Sequence, residues 1–233
     1  MPYKEELVNF LPTPASMESF AKSKAGKQLI DNFQRSLIWV SLLQRTYKGQ
    51  PGEVLLASAH SQIIEIWALV PLKLVHSASG SFRTLMDLLF SYSYYLSHPK
   101  EWSAVCLKGK NWEGRASIID WHLRFTPFFE EYNKQFGTRA TLDGLQEELS
   151  CFIHGIPGEG LPMMGSLDRQ ELDKTDVTEV IDLAARVDDA MNSFLVGVFH
   201  TLLPVLSEQE YKLVLAGIDK GKLAACGIVV PSR

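Results

Sequence analysis

VTEVIDLAARVDDAMNSFLVGVFHTL, residues 177–202, decides the fold class. Apolar side chains recur at Val177, Val180, Ala184, Val187, Met191, Phe194, Val198 and Leu202. Steps of three and four place them on one stripe of a helix, whereas a half-buried strand would alternate every second residue. The spacing is close to a heptad seam, suited to antiparallel packing on another helix. Ordinary core packing and a dimer or partner face are its two competing roles. Pro204 ends the run. Ser207-Glu208-Gln209-Glu210 then reads as a capping box that opens a terminal helix to about Ile218.

The same period extends upstream. Leu29, Phe33, Leu37, Val40, Leu43 and Tyr47 form one helical face, broken by Gly49-Gln50-Pro51-Gly52. A second helix is predicted from Glu53 to about His76, kinked or shortened at Pro71. Ser77 to Ser81 reads as a small-residue loop with several N-cap candidates. A third helix carries Phe82, Leu85, Leu89, Tyr92 and Leu96 and stops at His98-Pro99. Residues 99–113, with Trp102 and Trp112, read as a helical turn and a loop. Ile118, Trp121, Phe125, Phe128, Tyr132 and Phe136 mark a helix bent at Pro127 and ended by Gly137. A shorter helix covers about Leu142 to His154. Gly155 to Thr175 is the longest loop candidate, and long loops in compact domains tend to carry function. The apolar tail from Gly221 to Arg233 is short, fit to dock on the body or to form an arm. These elements predict an all-α fold: a single up-and-down helical bundle of about six to eight helices spanning 1–233, with 1–25 and 220–233 peripheral.

The bulk numbers bound the function. The chain has 233 residues, 46% of them hydrophobic, which supplies a sizeable core. A formal net charge of −4 argues against a protein that coats nucleic acid through an overall basic field. Three scattered cysteines, Cys106, Cys151 and Cys226, form no CxxC pair, which argues against a disulfide framework or a thiolate zinc site. Met1 to Phe20 lacks the apolar core of a signal peptide. Ile63 to Val75 is interrupted by Glu65, Pro71 and Lys73 and falls short of a membrane span. A cytoplasmic protein with no membrane partner is expected.

Common enzyme signatures do not occur. The chain has no P-loop, GxGxxG, GxSxG or HExxH motif. No Glu-x-x-His pair is present to build a di-metal carboxylate site. Within Gly155-Ile156-Pro157-Gly158-Glu159-Gly160, proline and glutamate replace the free N–H groups that a phosphate cradle needs. Neither cofactor nor metal is therefore expected.

Two side-chain pairs stand out. Ser150 and His154 are four apart and share a helix face, with His154 in the last turn before Gly155, where the helix dipole favours imidazolium. A capping role for that histidine competes with a functional one. Arg83 and Asp87 have the same spacing on an otherwise uncharged helix and suit either a structural ion pair or a site.

The string Glu148-Leu149-Ser150-Cys151-Phe152-Ile153-His154-Gly155 resembles the Leu-Ser-x-x-x-His-Gly signature of HEPN-like helical proteins. Phe82-Arg83-Thr84-Leu85-Met86-Asp87 resembles the Arg-x-x-x-Glu/Asp helix that accompanies it in some of them. The resemblance covers roughly Ser77 to Leu203. It implies a helical fold like that of HEPN ribonucleases, RNA as substrate, a homo-oligomer, and a place in anti-phage or toxin–antitoxin systems. It also implies His154 as the acid–base group, Arg83 on the phosphate, Ser150 orienting the imidazole, and Asp87 accompanying Arg83. Catalytic members carry Arg-x4–6-His, and here the position five before His154 is Leu149. Arg115 and His122 supply a separate Arg-x6-His match.

Two functions compete: a metal-independent ribonuclease or toxin-type defence component, and a non-catalytic helical subunit that binds a partner protein. The acidic balance and Leu149 favour the second. A small-ligand bundle built on Phe90, Tyr92, Tyr94, Tyr95 and Trp121 is a third reading, although aromatics at helical spacing usually form core.

Overall fold

The computed structural model describes residues 14–72, 74–109, 112–154 and 174–228. They are all-helical, with no strand among them. Twelve α-helices and one 3-10 helix follow in order: α1 Pro14–Lys22, α2 Lys24–Asp31, α3 Gln34–Thr46, α4 Glu53–Leu69, α5 Val75–Tyr95, α6 Pro99–Lys108, α7 Arg115–Phe125, α8 Phe129–Phe136, α9 Thr138–His154, α10 Lys174–Phe199, the 3-10 segment His200–Val205, α11 Glu208–Val214 and α12 Lys220–Ala225.

The count exceeds the expected six to eight because local breaks split the predicted runs. The Leu29–Tyr47 face is cut between α2 and α3 at Asn32-Phe33. The aromatic run is cut at Thr126-Pro127-Phe128, where Phe128 adopts a left-handed backbone at φ 64°. Helix continuity there is lost to proline and to that turn rather than merely bent. Residues 99–108, expected as little more than a turn, form the ten-residue α6 with Pro99 in its first turn.

One boundary moved for a packing reason. The sequence places a helix through to His76 and a loop at 77–81. Instead α4 stops at Leu69, two residues before Pro71, and Ser77 to Ser81 lie inside α5. Ala78, Ser79 and Ser81 are buried there. Burial of those three side chains outweighs the weak helix propensity of serine and glycine in this segment.

Other local signals appear as read. Ser207 and Glu210 form the reciprocal capping box of α11, with Glu210 N–H on Ser207 Oγ at 3.3 Å and Ser207 N–H on Glu210 Oε2 at 2.8 Å. Gly137, at φ 63°, closes α8 and lets α9 start at once. The tail docks: Leu223, Cys226 and Ile228 are buried.

α5 lies at the centre and packs against α4, α9, α10 and α7. α9 runs antiparallel to α10, since Thr138 meets Ser193 and Glu148 meets Arg186. α7 runs in the same direction as α5, since Asp87 faces Arg115 at the start of α7 and Ser93, further along α5, meets His122 further along α7. α6 is the crossover that permits this, so α5–α6–α7 departs from strict up-and-down order. The stripe on α10 is core: Val180, Ala184, Val187, Met191 and Phe194 are buried.

A polar network fixes α10 against α3. Asp188 is fully buried and accepts from Arg35 Nε at 2.8 Å and from the Ser36 N–H and hydroxyl. One turn on, Trp39 Nε1 donates to Asn192 Oδ1 at 2.9 Å, and Asn192 Nδ2 donates to the Val214 carbonyl at 2.8 Å. Two helices thus share register through satisfied buried groups.

Candidate functional site

Arg83 and Asp87 sit one turn apart on α5 and face α9. Arg83 Nη1 donates to Ser150 Oγ at 3.3 Å, and Arg83 Nε lies 3.9 Å from Asp87 Oδ2. Ser150 also donates to its own helix, to the Gln146 carbonyl at 2.6 Å. Its hydroxyl is therefore anchored by α9 while it accepts from α5. The two helices run antiparallel here, so Gln146, one turn before Ser150, falls beside Asp87.

Arg83, Asp87 and Gln146 line a cleft of about 230 Å³. Arg83, Asp87, Phe90 and Ser91 come from α5 and Gln146 from α9, while Trp112, Glu113, Gly114, Arg115 and Ile118 close the third side. Arg115 donates to Asp143 on α9 at 2.7 Å, and Asp143 also lies 3.7 Å from Arg139, which pairs with Asp120. The cleft is thus the end of a chain of alternating charges linking α5, α7 and α9. Burial pushes the Asp87 carboxyl above its ordinary value, and the Arg83 and Arg115 guanidinium groups oppose that. Gln146 Oε1 is buried and has no hydrogen-bond partner among the described residues.

His154 is the last residue of α9, one turn beyond Ser150 and so in the same face register. Its side chain lies outside the described residues, as do the Gly155–Gly160 cluster and the rest of the connection to α10. Leu149, where the HEPN resemblance wants an arginine, is fully buried in the core. A charge there would be desolvated without a partner. The guanidinium near Ser150 comes instead from α5.

Arg115 and His122 do not converge. Arg115 turns into the cleft, whereas His122 is buried, with Nε2 2.9 Å from Ser93 Oγ and Nδ1 2.7 Å from Thr126 Oγ1. Burial pushes the imidazole down to about 3, with His98 adding a like-charge contribution. A histidine held neutral and enclosed is a core group. The aromatic set divides likewise: Phe90, Tyr92 and Tyr95 are buried, while Tyr94 stacks on His98 and Trp121 meets both rings edge-on along the α5–α7 seam.

A larger groove of about 600 Å³ lies between α9 and α10, away from Arg83. Its charged lining is internally paired. Arg186 forms a two-pronged bridge to Glu148 at 2.6 and 2.7 Å, and Asp189 holds Arg35. The smaller cleft has the looser pairing and the unmet amide, which makes it the better candidate.

Sequence reasoning marked Arg83, Asp87, Ser150 and Arg115 but not Gln146 or Trp112. Gln146 was legible in principle, since it precedes Ser150 by four on one helix face. Trp112 carried no periodic signal.

No described group of His, Cys, Asp and Glu could hold a metal ion, and no described helix is long and apolar enough to cross a membrane. No protein-family model matches the chain, and no curated protein or solved structure matches it.

Proposed function

We propose that this chain is a HEPN-like, metal-independent ribonuclease of the toxin or anti-phage type, with its phosphodiester substrate at the Arg83 cleft. The observation that supports this reading is the 3.3 Å contact between Arg83 and Ser150, residues 67 apart in sequence. It sets a guanidinium one helical turn from the position of His154. In this mechanism His154 takes the proton of the ribose 2′-hydroxyl as its oxygen attacks phosphorus. A proton returned to the departing 5′-oxygen completes the cleavage. Arg83 faces the charge that develops on the non-bridging oxygens. Asp87 holds Arg83, and Ser150 orients the imidazole. The protein acts in the cytoplasm as a homodimer.

The test is cleavage of RNA by the purified chain in a chelating buffer. His154→Ala lowers the rate by roughly a hundredfold or more with an unchanged helical circular dichroism spectrum. Unchanged cleavage by that variant sinks the reading.

A second reading is a non-catalytic helical subunit that binds a partner protein. It draws on Phe125 and Phe128, both exposed at the α7–α8 turn, and on a cleft whose arginines face carboxylates. In that case cleft substitutions leave function unchanged, while Phe125→Glu abolishes association in a pull-down.

A further inference from the structure

We infer that Trp112 is the base-stacking residue of the Arg83 cleft, so that the cleft selects an unpaired nucleotide; this rests on the phosphodiester reading above. Trp112 is 49% exposed and lines the same cleft as Arg83, Arg115 and Gln146. Its ring is held rather than free. It packs edge-on against buried Tyr95 with centroids 5.7 Å apart. The next residue is pinned too, because the Glu113 N–H donates to the Tyr95 hydroxyl at 2.8 Å. An aromatic ring fixed by its neighbours and still half open loses little entropy when a base stacks on it.

The charge balance of the cleft points the same way. Arg83 and Arg115 face Asp87, Glu113 and Asp143, so attraction for a phosphate is largely offset by nearby carboxylates. Stacking does not depend on net charge and supplies the affinity that Coulomb attraction here does not. The volume of about 230 Å³ lies below the usual range for a whole ligand, about 300–1,000 Å³, and suits one base rather than a base pair. Gln146 lines the same cleft, and its Oε1, enclosed and without a described partner, becomes an acceptor for a donor on the edge of that base once the amide turns outward. A duplex buries its base faces and edges and could use neither Trp112 nor Gln146.

The experiment compares three labelled RNA probes by fluorescence anisotropy: a short single strand, the same strand with abasic sites throughout, and the duplex. The wild-type chain binds the single strand about tenfold tighter than the abasic strand or the duplex. Trp112→Ala removes that difference, and Trp112→Phe keeps most of it. If the wild-type chain binds the abasic strand as tightly as the normal one, or Trp112→Ala keeps the preference, the stacking role is wrong while the phosphodiester reading stands. If no probe binds and Arg83→Ala changes nothing, the phosphodiester reading fails first and this inference with it.

Discussion

Arg83 on α5 reaches Ser150 on α9 at 3.3 Å, across an antiparallel helix pair, while its ion pair with Asp87 on its own helix is the longer contact at 3.9 Å. The guanidinium thus bridges two helices and keeps donors for a third partner. A role confined to structure predicts a small effect on removal, because half-exposed ion pairs contribute under about 1 kcal/mol. Arg83→Ala is therefore expected to leave the denaturation midpoint nearly unchanged. On the proposed ribonuclease reading, RNA cleavage should fall on the order of a hundredfold, because there the guanidinium would face charge that develops only in the transition state. Arg83→Lys should recover little, since an ammonium cannot donate in the same forked geometry. Parallel measurement of urea denaturation and initial cleavage rates separates the two roles; equal loss in both would make Arg83 structural.

Asp188 makes a contrasting prediction. Its carboxylate is fully buried and binds Arg35 and Ser36. Removing one member of a buried pair leaves the other desolvated and uncompensated, at about 3–5 kcal/mol. Asp188→Ala should lose that much stability in chemical denaturation. Arg35 also holds the exposed Asp189 at 2.5 Å, so part of its charge stays matched and the lower half of the range is expected. A loss below about 1 kcal/mol would show that α3 and α10 keep register without this network.

How much of this was legible in the sequence depends on which force decided each feature. The α10 stripe, the Ser207–Glu210 capping box and the stop at Gly137 were readable because helical period and capping are local. The start of α5 was misread because five small residues look like a loop until three of them, Ala78, Ser79 and Ser81, are seen to be buried. The split at Phe128 was half read: Pro127 announced a disturbance, but the left-handed residue after it did not. At the candidate site, spacing singled out Arg83/Asp87 and Ser150/His154, and the side chain of His154 lies outside the described residues. That Arg83 meets Ser150 is a tertiary fact, and no spacing rule links positions 67 residues apart. Arg115 and His122 show the opposite failure. They share a helix and fit a motif, yet one faces the cleft and the other the core.

Gly197 on α10 carries a packing prediction. A Cβ built there would lie 2.8 Å from Tyr132 Cδ1 and 2.9 Å from two Phe129 ring atoms. Both rings are buried, and α8 is fixed at each end, by Phe128 and by Gly137. Helix propensity alone would favour alanine by about 1 kcal/mol. Overpacking against rigid rings opposes it by about 1–3 kcal/mol. Gly197→Ala should therefore be neutral to destabilising by up to about 2 kcal/mol in thermal unfolding. A clear rise in Tm would mean that α8 can slide away from α10.

The last prediction concerns pH. His122 is neutral and enclosed, and its imidazole is pushed down to about 3, whereas in the unfolded chain it titrates near about 6.5. Below about 6.5 the unfolded chain binds a proton that the folded chain does not, so acid favours unfolding. The stabilising contribution is complete above about 6.5 and is lost as pH falls toward about 3. Each pH unit in that window weakens the fold by up to about 1.4 kcal/mol, which amounts to about 2–3 kcal/mol at pH 4.5. Burial also pushes the Asp188 carboxyl up, so the wild-type slope alone is not diagnostic. His122→Gln removes the titrating ring while keeping an amide able to reach Ser93 or Thr126. The difference between the two stability–pH curves should then flatten above about pH 6.5 and steepen by up to one proton below it. Parallel curves from pH 7 to pH 4.5 would mean that His122 is protonated in the folded protein. His122 would then not be an enclosed, neutral core group.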